Sequence, residues 1–213
     1  MLLSFVLSSA HVICVSAHSS PSEQRAAREL QSHLNQMTGI TLAIVNDVKP
    51  IPAKLIAVGE SGCTPLEAPA NAESFTLKTI GPNVHIVGGR QRGTMYGVYA
   101  FLEKLGVRWY TPEVTKIPKT KRLAIPRLDE TQSPAFEYRE PFFTEAFDKD
   151  WAARNRTNGQ SANLDESTGG KVVYYPFVHS FNELIPPETH FKEHPEYFSL
   201  IDGKRRSEHS QLC

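Results

Sequence analysis

Cysteine is scarce in this chain, and the little present forms no pattern. Cys14, Cys63 and Cys213 are three residues scattered through 213 positions. An odd number without short spacing argues against a disulfide framework and against a cysteine-based zinc site. Charge imbalance is lacking too, since 23 Lys plus Arg face 23 Asp plus Glu. That balance removes the electrostatic reason to expect nucleic acid or an acidic membrane as partner. No apolar run is suited to spanning a bilayer: LLSFVLSSAHVICVSA (2–17) is too short and too rich in serine. It ends small-x-small, as a signal peptide would, but has no basic n-region. The competing reading makes HVICV (11–15) the first strand. The strand is preferred, because a capped helix follows at once.

What is present is ordinary for a soluble globular protein, with 40% apolar and 22% charged residues. The length allows one large domain or two small ones. Ser20, Pro21 and Glu23 supply an N-cap, a proline at the first helical position and a capping-box glutamate. Ala26/Ala27, Leu30, Leu34 and Met37 then recur at helical spacing until Gly39. Strands are expected at TLAIV (41–45), KLIAV (54–58), FTLKTI (75–80) and NVHIV (83–87), the last two joined through GPN as a hairpin. A second helix is expected from Thr94 to Leu105, capped by Gly106. Residues 10–125 thus read as β-α-β-β-β-β-α, a small α/β sandwich with its helices on one sheet face. The proline- and charge-rich stretch 112–134 reads as a linker.

Between the hairpin and the second helix stands IVGGRQRGTMYG (86–97), which raises the question of a phosphate loop. The spacing of Gly88, Gly89 and Gly93 does not fit a dinucleotide fingerprint, and a Walker loop would need a lysine that is absent. The glycines, Gly97 included, read as backbone geometry and close packing. HFKEH (190–194) matches an inverted zinc-protease pattern. Pro186, Pro187 and Pro195 leave barely one helical turn to hold it. No third ligand stands out, though His179 and His209 could serve, and the preferred reading is loop histidines. No metal or cofactor is expected. The sequon NRT (155–157) and the basic run KRR (204–206) add little.

Beyond the linker, strands are expected at FEYRE (136–140) and KVVYYPFV (171–178), with a helix near 147–156 between them. YFSLI-DG-KRR (197–206) reads as a strand entering a tight turn. Strand, helix, strand is how a (β/α)8 barrel begins, and its active site gathers at the C-terminal strand ends. Arg139 or Glu140, but not both, is then expected to face the barrel mouth, and His179 ends the next strand. Glu137, Glu145, Asp148 and Asp150 are further carboxylates, and sequence alone pairs none of them at glycosidase distance. A barrel needs roughly 250 residues, so only its opening is expected here.

GGRQRGTMYGVYAFLEKLGVRWYTP, with AARELQSHLNQMTG, FEYRE, ARNRTN, HSFNELIPP and EHPEYFSLIDGKR, resembles a mostly bacterial, glycoside-hydrolase-like family, domain of unknown function 4838. Its N-terminal domain is similar to those of family 67 α-glucuronidases and family 20 β-hexosaminidases. The resemblance implies an accessory α/β domain (10–125), a linker (126–135) and the start of a TIM-like barrel (136–213). The rest of the barrel would come from a longer chain, so this part would be inactive. It also implies a carbohydrate partner, with neither nucleic acid nor membrane. Arg139 stands where family 20 enzymes hold sugar hydroxyls, and Glu140, Asn158 and His179 complete the implied substrate-binding set. The tandem catalytic carboxylates of family 20 come from a later strand than this chain contains. Trp109 is expected to anchor the accessory domain on the barrel rather than stack on a sugar. The expected location is extracytoplasmic, secreted or periplasmic. The alternative to a hydrolase is a non-catalytic carbohydrate-binding or scaffold module.

Overall fold

The residues around Ser20 start the first helix by local bonding alone. In the computed structural model, which describes residues 3–47 and 49–208, the Glu23 amide donates to the Ser20 hydroxyl. In return the Ser20 amide donates to the Glu23 carboxylate at 2.8 Å. Helix α1 (Pro21–Thr38) then runs until Gly39, whose φ of 77° lies in the left-handed region. Its apolar positions at helical spacing, Ala26, Leu30, Leu34 and Met37, are all buried.

The apolar N-terminus forms two strands, β1 (Leu3–Val6) and β2 (Val12–Val15). After α1 come β3 (Ala43–Asn46), β4 (Leu55–Val58), β5 (Phe75–Ile80), β6 (Asn83–Gly88) and helix α2 (Gly93–Lys104). They are followed by β7 (Arg108–Trp109), β8 (Thr115–Lys116), β9 (Ala124–Pro126) and β10 (Asp129–Gln132). The main sheet has six strands in the order β10-β5-β6-β4-β2-β3. Strands β2, β3, β4 and β6 are parallel, while the β5–β6 hairpin and β10 add antiparallel pairs. Alternation divides each strand between two faces. Ile13, Val15, Ile56, Val58, Val84 and Ile86 join the helices in one large core. Cys14, Leu55 and Ala57 form a smaller cluster with Cys63.

Two expectations are corrected here. Cys14 and Cys63 are joined in a disulfide with their Cα atoms 6.4 Å apart. The pairing crosses 49 residues and joins a strand to a loop, so residue spacing could not reveal it. Cys213 lies outside the described residues, as do Met1 and His209. The 112–134 stretch is also no free linker. Strand β9 pairs with β1, β10 pairs with β5, and Leu123, Ile125 and Leu128 are buried in the core. Its charges sit mostly on the outer face of structure that its apolar residues hold down, and Pro126 is itself buried in β9.

One compact unit extends through Val172 and a second begins at Val173. In the first, helix α3 (Lys149–Arg154) is N-capped by Asp148, and Ala152 and Ala153 enter the core. A half-buried charge network ties α3 to α1. Glu29 accepts from Arg154 at 2.9 and 3.1 Å and from Arg25 at 3.2 Å, and Arg25 reaches Asp150 at 2.8 Å. Trp109 is an interior residue beside this network, 5% exposed and edge-on to His33 and Tyr99. Its indole donates to His33 Nε2 at 3.2 Å. It therefore anchors α1 and α2 within the first unit, and it has no face open for sugar stacking.

The FEYRE segment forms no strand, nor does KVVYYPFV, and neither finds a ladder partner among the described residues. Their alternation is that of a strand, but a strand exists only beside another. The second unit, taken by itself, carries short helices α4 (Phe181–Leu184) and α5 (Pro187–His190) and a hairpin of β11 (Leu200–Ile201) and β12 (Lys204–Arg205). Asp202 and Gly203 turn that hairpin with positive φ, as the DG pair suggests. His194 stacks on Tyr197 at 4.7 Å and bonds Glu196 at 3.0 Å.

Candidate functional site

The glycine cluster is a docking surface for backbone. A Cβ on Gly89 would overlap the main chain at Asn71 and Ala72, and one on Gly93 would overlap the Ser74 carbonyl. The amides of Arg92 and Gly93 both donate to Ala72 O, and that of Gly89 donates to Ser74 O. Gly97 lets α2 lie on the sheet, since a Cβ there would come within 2.8 Å of Ile86 Cγ2. The anion position at the N-terminus of α1 is already filled by Glu23, which takes the Ser20 amide and hydroxyl at 2.8 and 3.0 Å. Nothing here cradles a phosphate.

This docking delivers Glu73 and Arg92 to one buried point. Glu73 Oε1 accepts from Arg92 Nε at 2.6 Å and from Asn158 Nδ2 at 2.9 Å, while Oε2 accepts from Arg139 Nη1 at 2.8 Å. Burial alone would raise the Glu73 pKa, but the bonds from Arg139, Asn158 and Arg92 outweigh it and hold the carboxyl below its usual range. Asn158 is fully buried. Its Nδ2 also donates to Glu137 O at 2.7 Å, and its Oδ1 accepts from the Arg139 amide at 2.8 Å. An amide so occupied meets a ligand only through Arg139.

Arg139 is the centre of the arrangement. Nε donates to Arg156 O at 2.9 Å, and Nη1 donates to Phe136 O at 2.7 Å as well as to Glu73. The guanidinium lies 5.8 Å from the centre of the Tyr96 ring. Burial of Tyr96, with the Glu73 charge nearby, pushes its phenol up to about 12. Arg139 Nη2 is enclosed, and the Tyr96 hydroxyl adds a further side-chain bond to the guanidinium. Arg139, Tyr96, Gln132, Ser133 and Arg156 line an adjoining cavity of about 210 Å³. A second cavity of about 400 Å³, lined by Asn71, Gln91, Arg92, Phe136 and Glu137, opens on the other side of Glu73.

Of the residues singled out from sequence, Arg139 and Asn158 meet at this point. Glu140 turns to the neighbouring 159–161 segment, where it accepts from the Ser161 amide and the Tyr138 hydroxyl. Burial would raise its pKa, but those bonds and the Lys171 charge hold it low, which suits an acceptor rather than a general acid. Asp150 and Asp148 serve Arg25 and the α3 cap. His179 belongs to the second unit, exposed and at φ 52°. Among the described residues no group of three or more His, Cys, Asp or Glu is placed to hold a metal. Sequence reasoning missed Glu73 and Arg92. Their partners lie 19, 66 and 85 residues apart, beyond any local signal.

A mixed α/β sandwich with a buried arginine–amide site and no phosphate loop is the class that the geometry defines. Residues 6–101 match the family described as glycosyl hydrolase family 67 N-terminus, and residues 109–213 match the domain of unknown function DUF4838. Each match spans just under half of the chain, and together they make it resemble a glycoside-hydrolase-like family. Among solved structures it is similar to a family GH115 4-O-methyl-alpha-glucuronidase with specificity for decorated arabinogalactans. That likeness has 18% identity and a TM-score of 0.53, and covers 73% of this chain and 25% of that one. It is similar also to a chitobiase from Flavobacterium johnsoniae, at 15% identity and TM-score 0.51, over 73% of this chain and 24% of that one. The chain thus spans about a quarter of the length of these enzymes. At such identity the likeness is one of fold. No curated protein sequence matches the chain.

Proposed function

We propose that this chain is the N-terminal part of a glycoside hydrolase acting on a polysaccharide or glycan. In this reading the accessory domain extends through β10, which completes its sheet, and residues 136–213 are the opening of a catalytic barrel. The barrel's remaining strands, and with them the catalytic carboxylates, come from further chain, and the part alone is inactive. The observation that carries the reading is Arg139, held in place by Glu73 and Asn158 and lining a cavity of about 210 Å³. A guanidinium at a cavity wall suits a sugar hydroxyl, since its planar donors can grip oxygen acceptors. Asn158 orients the Arg139 main chain, and Glu140 holds the Ser161 amide nearby. The glucuronidase and chitobiase neighbours point to glycans bearing uronic acid or N-acetylglucosamine as first substrates to try. We further infer work outside the cytoplasm. The Cys14–Cys63 disulfide supports this, because such bonds persist in oxidising compartments. No helix among the described residues is long and apolar enough to cross a membrane.

The test is Arg139→Ala in the full-length protein, assayed on both glycan types. Turnover or affinity should fall at least tenfold, and an unchanged value removes Arg139 from the site. A second reading, a non-catalytic binding module, gains ground if the full-length protein binds these glycans but releases no sugar.

A further inference from the structure

A groove runs along the solvent side of α1, on a part of the first unit that shares no residue with the Arg139 site. One cavity, of about 440 Å³, is lined by Arg25, Arg28, Ser32, Gln36 and Thr115 among others. The next, of about 570 Å³, shares Gln36 and continues to the end of α1, lined there by Lys119 and Lys121. The Thr120 amide, donating to Met37 O at 2.9 Å, holds the 115–121 strip against the helix. From Arg28 to Gln36 the helix rises about 12 Å, so the groove has room for several sugar units.

Its charge is one-sided in a chain whose net charge is zero. Between Glu113 and Asp129 the sequence holds Lys116, Lys119, Lys121, Arg122 and Arg127 and no acid. Among the cations that line the two cavities, Arg25 and Arg154 are balanced by Glu29 and Asp150, which leaves the excess charge on Arg28, Lys119 and Lys121. Arg28, Lys119 and Lys121 are exposed and enter no ion pair among the described residues. Cations kept apart from acids on an exposed, extended surface repel one another until a polyanion lies across them. No Phe, Tyr or Trp lines the groove, so it offers no platform for stacked bases.

We propose that this groove binds an acidic polysaccharide through its carboxylate or sulfate groups, holding the polymer on the accessory domain. The choice of glycan over other polyanions rests on the carbohydrate reading above, while the site itself does not. The test is titration of the chain with labelled hexagalacturonate, a sulfated galactan hexamer, neutral galactohexaose and a short single-stranded oligonucleotide. At least one acidic hexasaccharide should bind, and the one that does identifies the anion. With three contacts, binding should weaken roughly tenfold or more between 50 and 200 mM salt. Combined Arg28→Gln, Lys119→Gln and Lys121→Gln, all at exposed positions, should cut it at least tenfold while thermal unfolding stays unchanged. Arg139→Ala should leave it intact, which separates this proposal from the sugar site. Absence of binding by both acidic oligomers would overturn it. So would equal binding of the neutral hexamer or the oligonucleotide, or an undiminished affinity in the triple variant.

Discussion

Replacing Glu73 by alanine removes one acceptor shared by Arg92, Arg139 and Asn158. The Glu73 side chain is 8% exposed, that of Arg92 9% and that of Arg139 18%, so solvent screens these pairs little. Truncating one member of a buried ion pair leaves uncompensated charge behind and costs about 3–5 kcal/mol. Here two guanidinium groups are orphaned together. Arg92 keeps Gly169 O, and Arg139 keeps the carbonyls of Arg156 and Phe136, which holds the loss within that range. In a domain of this size the melting point should drop by roughly 10 °C. Glu73→Gln keeps a carbonyl acceptor for Arg92 but turns an amide donor or a neutral oxygen to Arg139, and should fall between the two. Urea is the denaturant of choice, since an ionic one would screen the charges under test. Glu130→Ala is the control, because its pair with Lys104 is about one-third exposed and should be worth under about 1 kcal/mol. If both Glu73 variants stay within about 1 kcal/mol of wild type, the site is not held by this carboxylate.

The disulfide closes a loop across 49 residues, so replacing Cys14 and Cys63 together by alanine should cost about 4 kcal/mol in the loop-entropy estimate. Urea unfolding with and without reductant measures it, and a change under about 1 kcal/mol would refute it. Gly97→Ala improves helix propensity by about 1 kcal/mol. It should nonetheless destabilise, because the new methyl meets Ile86 and the Phe75 ring and overpacking costs about 1–3 kcal/mol. A raised melting point would show that α2 has slack over the sheet. His33 should make the fold acid-sensitive. The Trp109 indole only donates, so His33 Nε2 must accept and Nδ1–H donates to Glu29 O at 2.7 Å, which fixes a neutral ring. Burial lowers its pKa, so the unfolded chain takes up the proton first and stability is lost as pH falls below about 6.5. Burial acts in the same direction on His11 and His85. Each contributes at most about 1.4 kcal/mol per pH unit, and stability that stays flat from pH 7 to 5 would contradict the neutral assignment.

The features that sequence revealed are those decided locally. Ser20, Pro21, Glu23 and Gly39 fix α1 within one turn at each end, and the alternation of 75–80 and 83–88 meets across a two-residue loop. Features decided at long range stayed hidden. Strand β1 is held by β9 and β10 by β5, both joined across the chain, so one stretch resembled a leader and the other a linker. The 136–140 and 171–178 segments carry strand-like residues with no neighbour to pair with among the described residues. At the site, Arg139 and Asn158 were legible because the resemblance marked them. Glu73, which holds both, sits in a loop whose NAES sequence carries no signal; only the docking of the 88–93 turn brings it there. The glycines of that turn were read for backbone geometry, and their overlap with residues 71–74 supplies the reason.

The measurement that bears most directly on the account is sugar release from glucuronic-acid-decorated and N-acetylglucosamine-containing glycans. It would compare the full-length protein, its Arg139→Ala variant and the 213-residue chain alone. The account predicts hydrolysis by the full-length protein, a loss of at least tenfold with Arg139→Ala, and none by the chain alone. Hydrolysis by the isolated chain, or an Arg139→Ala protein as active as wild type, would contradict it.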